Sequence, residues 1–141
     1  MGDNGAVPPV DTPPPTSPVP PRDGRPAQGN LWAALPPAGG EEQVQALLFQ
    51  PGIRIERIVS HGQASPAGFW YDQDEGEFVL LLAGTATLSL QIADGVHETV
   101  ALCPGDWLHL PARCRHRVDA TAHGQPTVWL AVFFPIAPSR A

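Results

Sequence analysis

The chain has 141 residues, 43% of them hydrophobic, which suffices for a single domain with one buried core. Its formal net charge is −6 and all eight basic residues are arginine, so there is no basic stripe to neutralise a phosphate backbone, and nucleic acid is not an expected partner. Without lysine, Schiff-base chemistry at a side chain and the usual phosphate-cradling loop are also excluded.

The first ten residues, MGDNGAVPPV, lack a basic segment followed by an apolar run, so no secretory signal is expected. No apolar stretch approaches the roughly 20 residues of a membrane helix. With Cys103 and Cys114 reading as two reduced thiols, the expected location is the cytoplasm. Residues 1–29 are rich in proline, from Pro8 and Pro9 through Pro13, Pro14 and Pro15 to Pro26, with almost no large apolar side chain. Such a segment cannot bury enough surface to offset its ordering entropy, which predicts a disordered tail of polyproline-II character. Docking of that tail into a partner's aromatic groove is an alternative that rests on composition alone.

Residues 30–141 read as one β domain. Leu31, Trp32 and Leu35 suggest a hydrophobic strap, and the short apolar run over 41–48 suits either a turn of helix or a strand. Past Pro51 and Gly52, short β-branched or leucine-rich runs predict strands over 53–59, 77–82, 86–92, 98–102, 107–110 and 127–134. Turns are expected at Ala93-Asp94-Gly95, at Pro104-Gly105-Asp106 and over 123–126. Leu88, Leu90 and Ile92 alternate with polar residues, predicting one buried face for that strand. Many short strands at regular spacing with hardly any helix predict an all-β barrel or sandwich.

Two stretches resemble the two motifs of the cupin superfamily. Gly105, then Pro111 after five residues, then His116 five residues further, is similar to the second motif. Glu77 and Gly84, with six residues between them, are similar to the closing half of the first. The histidine pair that opens the first motif is missing. Counting back three residues from Glu77 puts Tyr71 and Gln73 in its places, and counting back four puts Trp70 and Asp72 there. Ala120 and Arg113 stand where the second motif has asparagine and glycine. The resemblance implies a double-stranded β-helix, a jelly-roll barrel that commonly dimerises.

It also implies a divalent transition ion such as iron, manganese, nickel, copper or zinc, held by the carried-over ligands His116 and Glu77. A third donor would come from Asp72, Gln73 or Tyr71. The competing reading makes His116 a hydrogen-bonded barrel residue and pairs Glu77 with Arg115, Arg117 or Arg57, because a buried carboxylate needs a partner. His61, following the 53–59 strand, either faces the barrel mouth or is an ordinary loop residue. His97 and His123 read as exposed beside turns, and His109 shares a face with Trp107. Residues 69–75 set three aromatics against an acidic run, so Trp70 and Tyr71 either wall a small-molecule pocket or plug one end of the barrel.

Three functions follow as expectations: a metal-dependent enzyme acting on a small organic substrate, a binding module for a small ligand, and a homodimeric interaction scaffold. No nucleophile elbow, phosphate loop or zinc-type cluster is present in the sequence to support hydrolase, kinase or finger chemistry.

Overall fold

A computed structural model of the protein describes residues 25–135. Their regular elements are strands: β1 Gln43–Gln50, β2 Ile53–Ser60, β3 Gly76–Ala83, β4 Ala86–Ala93, β5 Val96–Leu102, β6 Trp107–Leu110, β7 His116–Thr121 and β8 Thr127–Phe134. They form a five-stranded sheet in the order β1-β2-β8-β3-β6 and a three-stranded sheet in the order β5-β4-β7, antiparallel throughout. This is the expected all-β jelly roll. Most of the expected proline-rich tail, residues 1–24, lies outside the described residues, as do residues 136–141. No helix among the described residues is long and apolar enough to cross a membrane, and Cys103 and Cys114 are both free.

Alternation builds the core. Val79 and Leu81 of β3 lie in register with Ala131 and Trp129 of β8, and all four are buried. Leu88 and Leu102 from the smaller sheet close on them, with Leu90, Val100 and Val118 packed around. Burying these apolar faces against each other is the main favourable term for a fold of this kind.

Several sequence expectations are refined. The ambiguous 41–48 run is strand β1, because a hairpin through Pro51 and Gly52 pairs Gln50 with Ile53 and Gln43 with Val59. Strand β7 was absent from the predicted strands, since only His116 and Val118 of its first four residues face the core while Arg117 and Asp119 pair with each other outside it. Ile92 is 59% exposed rather than buried, as a register shift between Gln91 and Ala93 breaks the alternation at the strand's end. The strap is held by polar groups: Leu31 and Leu35 are half-buried and Trp32 is exposed. Buried Arg57 donates to the carbonyls of Leu31 at 3.1 Å and Ala33 at 2.7 Å, and to Gln43 Oε1 at 2.9 Å.

Two motif glycines have different physical reasons. Gly105 has φ of 95° with nothing near a would-be Cβ, so only backbone conformation requires glycine there. Gly84 has φ of 81°, and a Cβ would also lie 2.3 Å from Thr127 Oγ1 and 2.6 Å from Thr127 Cα. Gly105→Ala is therefore expected to cost about 1–2 kcal/mol and Gly84→Ala about 3 kcal/mol or more, read from urea unfolding midpoints. Equal losses at the two positions would disprove the tight approach of Gly84 to β8.

Candidate functional site

Glu77 is the second residue of β3, in register with Leu110 of β6 and Phe133 of β8, and this phase points it into the barrel. His116 opens β7 and is 4% exposed. Between β2 and β3 the chain crosses in an extended loop that adds one rung to β7: Tyr71 N–H donates to His116 O at 2.7 Å and His116 N–H to Tyr71 O at 3.2 Å. That rung stacks the Tyr71 ring on the His116 imidazole, with centroids 5.1 Å apart and planes 20° from parallel. Two residues on, Gln73 Nε2 donates to Glu77 Oε1 at 3.1 Å.

The His116 ring is oriented at both nitrogens. Nδ1 lies 2.9 Å from Cys114 O, and a carbonyl only accepts, so Nδ1 carries a proton. Nε2 then faces Glu77 Oε1 at 3.5 Å, a contact that is attractive when Nε2 is protonated too. Burial, the largest influence, favours the neutral ring, but the Glu77 carboxylate and the Cys114 carbonyl together outweigh it and raise the pKa above the ordinary histidine value.

A second group of acids belongs to the same space. Glu42 Oε2 accepts from Ser60 Oγ at 2.7 Å, and Ser60 Oγ accepts from Trp129 Nε1 at 3.2 Å. Burial pushes the Glu42 carboxyl up to about 7, with the Ser60 hydrogen bond opposing. Glu56 is also raised, by burial first, against the pull of Arg54 and with the charges of Glu77 and Glu75 adding to it. Arg54 spans these acids, with Nε 3.2 Å from Glu56 and Nη2 3.2 Å from Glu75, while its guanidinium lies 4.1 Å over the Phe133 ring. Tyr71 sits within the field of Glu42, Glu77 and Glu56, and burial followed by those charges holds its phenol protonated. Its hydroxyl oxygen is buried without a hydrogen-bond partner among the described residues.

Of the residues singled out from sequence, Glu77, His116, Gln73 and Tyr71 are brought together. Asp72 turns to Arg113, 3.2 Å away. Trp70 packs on exposed His97 at 4.7 Å, with the Arg115 guanidinium 5.7 Å from its ring. The His61 ring lies 3.0 Å from the Pro36 carbonyl, against the strap. Glu77 takes none of the arginine partners considered: Arg57 holds the strap, Arg117 binds Asp119 and the Ser65 carbonyl, and Arg115 lies over Trp70. Sequence reasoning missed Glu42, Glu56 and Ser60. Ile53, Ile55 and Val59 share the odd-numbered phase of β2 and Ile58 alone marks the even one, so the pattern carried no signal for the latter two, whereas Glu42 depended on the undecided 41–48 run.

The donor set does not match the metal centre that the cupin motifs imply. One imidazole, one carboxylate and one carboxamide converge, and among the described residues no group of three His, Cys, Asp or Glu side chains is placed to hold an ion. Residues present at the lost histidine positions, Tyr71 and Gln73, are neutral and respectively stack on and hydrogen-bond to the two that survive. They do not fit a tightly bound transition ion.

Two antiparallel sheets closing over an inward glutamate and histidine define the double-stranded β-helix class. The chain belongs to the cupin superfamily. It is 47% identical to a protein from Ralstonia eutropha JMP134 provisionally named a mannose-6-phosphate isomerase, over 79% of this chain and 100% of that one, with a TM-score of 0.72. A cupin superfamily protein from Desulfitobacterium hafniense DCB-2 is 16% identical over 79% of this chain and 94% of its own, with a TM-score of 0.62. A conserved Streptococcus pyogenes protein of unknown function is also 16% identical, over 79% and 90%, with a TM-score of 0.61. These two show the shared fold. No family model matches the chain, and no curated protein does.

The elevated Glu42 carboxyl yields a pH prediction. Because its folded pKa exceeds the unfolded value of 4.5, the folded state binds more protons between pH 4.5 and 7, and stability falls as pH rises through that window. His116, also raised, contributes stability below its unfolded value of 6.5 that is lost as pH rises through the folded pKa, so it acts in the same direction. Glu42→Gln, which keeps an acceptor for Ser60, is expected to gain as much as ~3 kcal/mol over wild type at pH 8 and nothing at pH 4. Urea unfolding across pH 4–8 reads the difference, and a pH-independent gap between the two proteins would refute the buried-carboxyl assignment.

Proposed function

We propose that the chain binds a small organic molecule inside its barrel, between Tyr71, Gln73, Glu77 and His116 on one side and Glu42 and Glu56 on the other. The observation that carries this reading is the Tyr71 hydroxyl, buried among three carboxylates yet bonded to none of them. Leaving a buried hydroxyl unsatisfied costs about 1–3 kcal/mol. A ligand bearing hydroxyl groups answers both needs, accepting from the phenol and donating to the carboxylates, while an ammonium group answers the carboxylates alone.

Acid-base chemistry is within the means of this space. His116 is held toward its protonated form, and Glu42 titrates near neutrality, so one group offers a proton where another takes one. Moving a proton between adjacent carbons of a sugar requires such a pair, and the provisional name of the Ralstonia eutropha relative supports that class of reaction. The carboxylates favour the hydroxyl-bearing part of such a molecule over a phosphate. Self-association belongs to the same reading: Phe78 and Trp107 stack at 5.4 Å where β3 meets β6, and Trp107 is 60% exposed, a surface suited to a second copy.

The test is a melting-temperature screen of neutral sugars, sugar phosphates including mannose 6-phosphate, small amines, and iron, manganese, nickel, copper and zinc ions. At least one organic compound is expected to raise the wild-type midpoint, by about 2.7 kcal/mol of added stability at a hundredfold excess over its dissociation constant. Tyr71→Phe and Glu77→Gln should each weaken that effect at least tenfold. A rise produced by a metal ion alone and lost in Glu77→Gln would replace the organic ligand with an ion, and no rise from any compound would sink the reading. Sedimentation velocity checks self-association, with Trp107→Glu expected to halve the mass.

A further inference from the structure

We propose that Arg113 is a positioning residue for this site, clamping the 71–74 segment from outside so that Tyr71 and Gln73 stay turned onto His116 and Glu77; this rests on the site described under the proposed function. Arg113 has φ of 67°, a left-handed conformation that a non-glycine residue adopts only under constraint. Its side chain is 62% exposed, so core packing does not explain its presence. Glycine, which stands here in the motif the sequence resembles, would relieve the strain, so what arginine adds must lie in its side-chain contacts.

Those contacts all go to one segment. Beside the backbone bond from Arg113 N–H to Gln73 O at 2.8 Å, which glycine would keep, Nε lies 3.2 Å from Asp72 Oδ1 and Nη1 donates to Asp74 Oδ1 at 2.8 Å. The segment alternates: Asp72 and Asp74 meet the guanidinium, while Tyr71 stacks on His116 and Gln73 hydrogen-bonds Glu77. Fixing the outer pair in an extended segment fixes the phase of the inner pair. Ion pairs this exposed add little to global stability, so the clamp acts on local order rather than on the melting temperature.

Amide hydrogen exchange on the ligand-free protein tests this. The Tyr71 and His116 amides report the rung that joins the loop to β7. In Arg113→Gly they are expected to exchange at least tenfold faster, while the melting midpoint moves by less than about 2 °C. Raising NaCl toward 1 M should speed the same amides in wild type and leave the glycine variant unaffected, since only the clamp is screened. The charge swap Arg113→Asp with Asp74→Arg should restore part of the protection. Unchanged exchange at Tyr71 in Arg113→Gly, or a general loss of protection with a lower midpoint, would overturn the clamp. Because no ligand enters the experiment, failure here leaves the binding proposal standing, and failure of the ligand screen leaves the clamp standing.

Discussion

Strand β8 is bonded to β2 along one side and to β3 along the other, so its register decides which side chains of three strands share the interior. Phe133 is thereby set between Arg54 and Glu77, Ala131 between Glu56 and Val79, and Trp129 between Ile58 and Leu81. A slip of one residue would turn every one of these outward and bring Ile55 and Arg57 in. The arrangement also grades the barrel along its length. Charged residues gather beside Phe133 and Ala131, whose small side chain leaves room next to Glu56, while Trp129 and Leu81 fill the next layer. At the far end, Thr127 and Ser60 are both fully buried and lie in register.

Acidic side chains in such an interior need compensation, and three different means are used. Arg54 neutralises Glu56 and Glu75 directly. Glu77 is met by an imidazole whose other nitrogen is already committed to a carbonyl. Among the described residues Glu42 has only a hydroxyl for a partner, and it responds by holding its proton up to about pH 7. Of the three, the last leaves a group that changes charge near neutrality without disturbing any ion pair, which is what a site needs in order to respond to a bound molecule.

Much of the barrel was legible because its signals are local. The predicted 77–82 and 127–134 runs fall within β3 and β8, and the resemblance of Gly105, Pro111 and His116 to the second cupin motif singled out a histidine that is buried. What was not legible depends on pairing between distant segments. Counting back three or four residues from Glu77 gave two candidate pairs, and only the Tyr71 to His116 rung selects Tyr71 and Gln73 over Trp70 and Asp72. Glu42 escaped notice because a short apolar run becomes a strand only when β2 lies beside it. Arg113 looked like a plain departure from a motif, as its left-handed backbone and two aspartate partners are invisible in the order of residues.

The strap has a mechanical consequence. Between Leu31 and Gly40 it is fastened to the barrel by Arg57 at two carbonyls, by His61 at Pro36 and by Gln63 at Gly40, and the next inward side chain along the chain is Glu42. A pull applied ahead of residue 30 would be borne by those fastenings, loaded one after another, before it reached the carboxyl. A domain or affinity label joined to the amino-terminal end is thus strain-isolated from the interior, and the same joint would serve to tether the barrel to a surface.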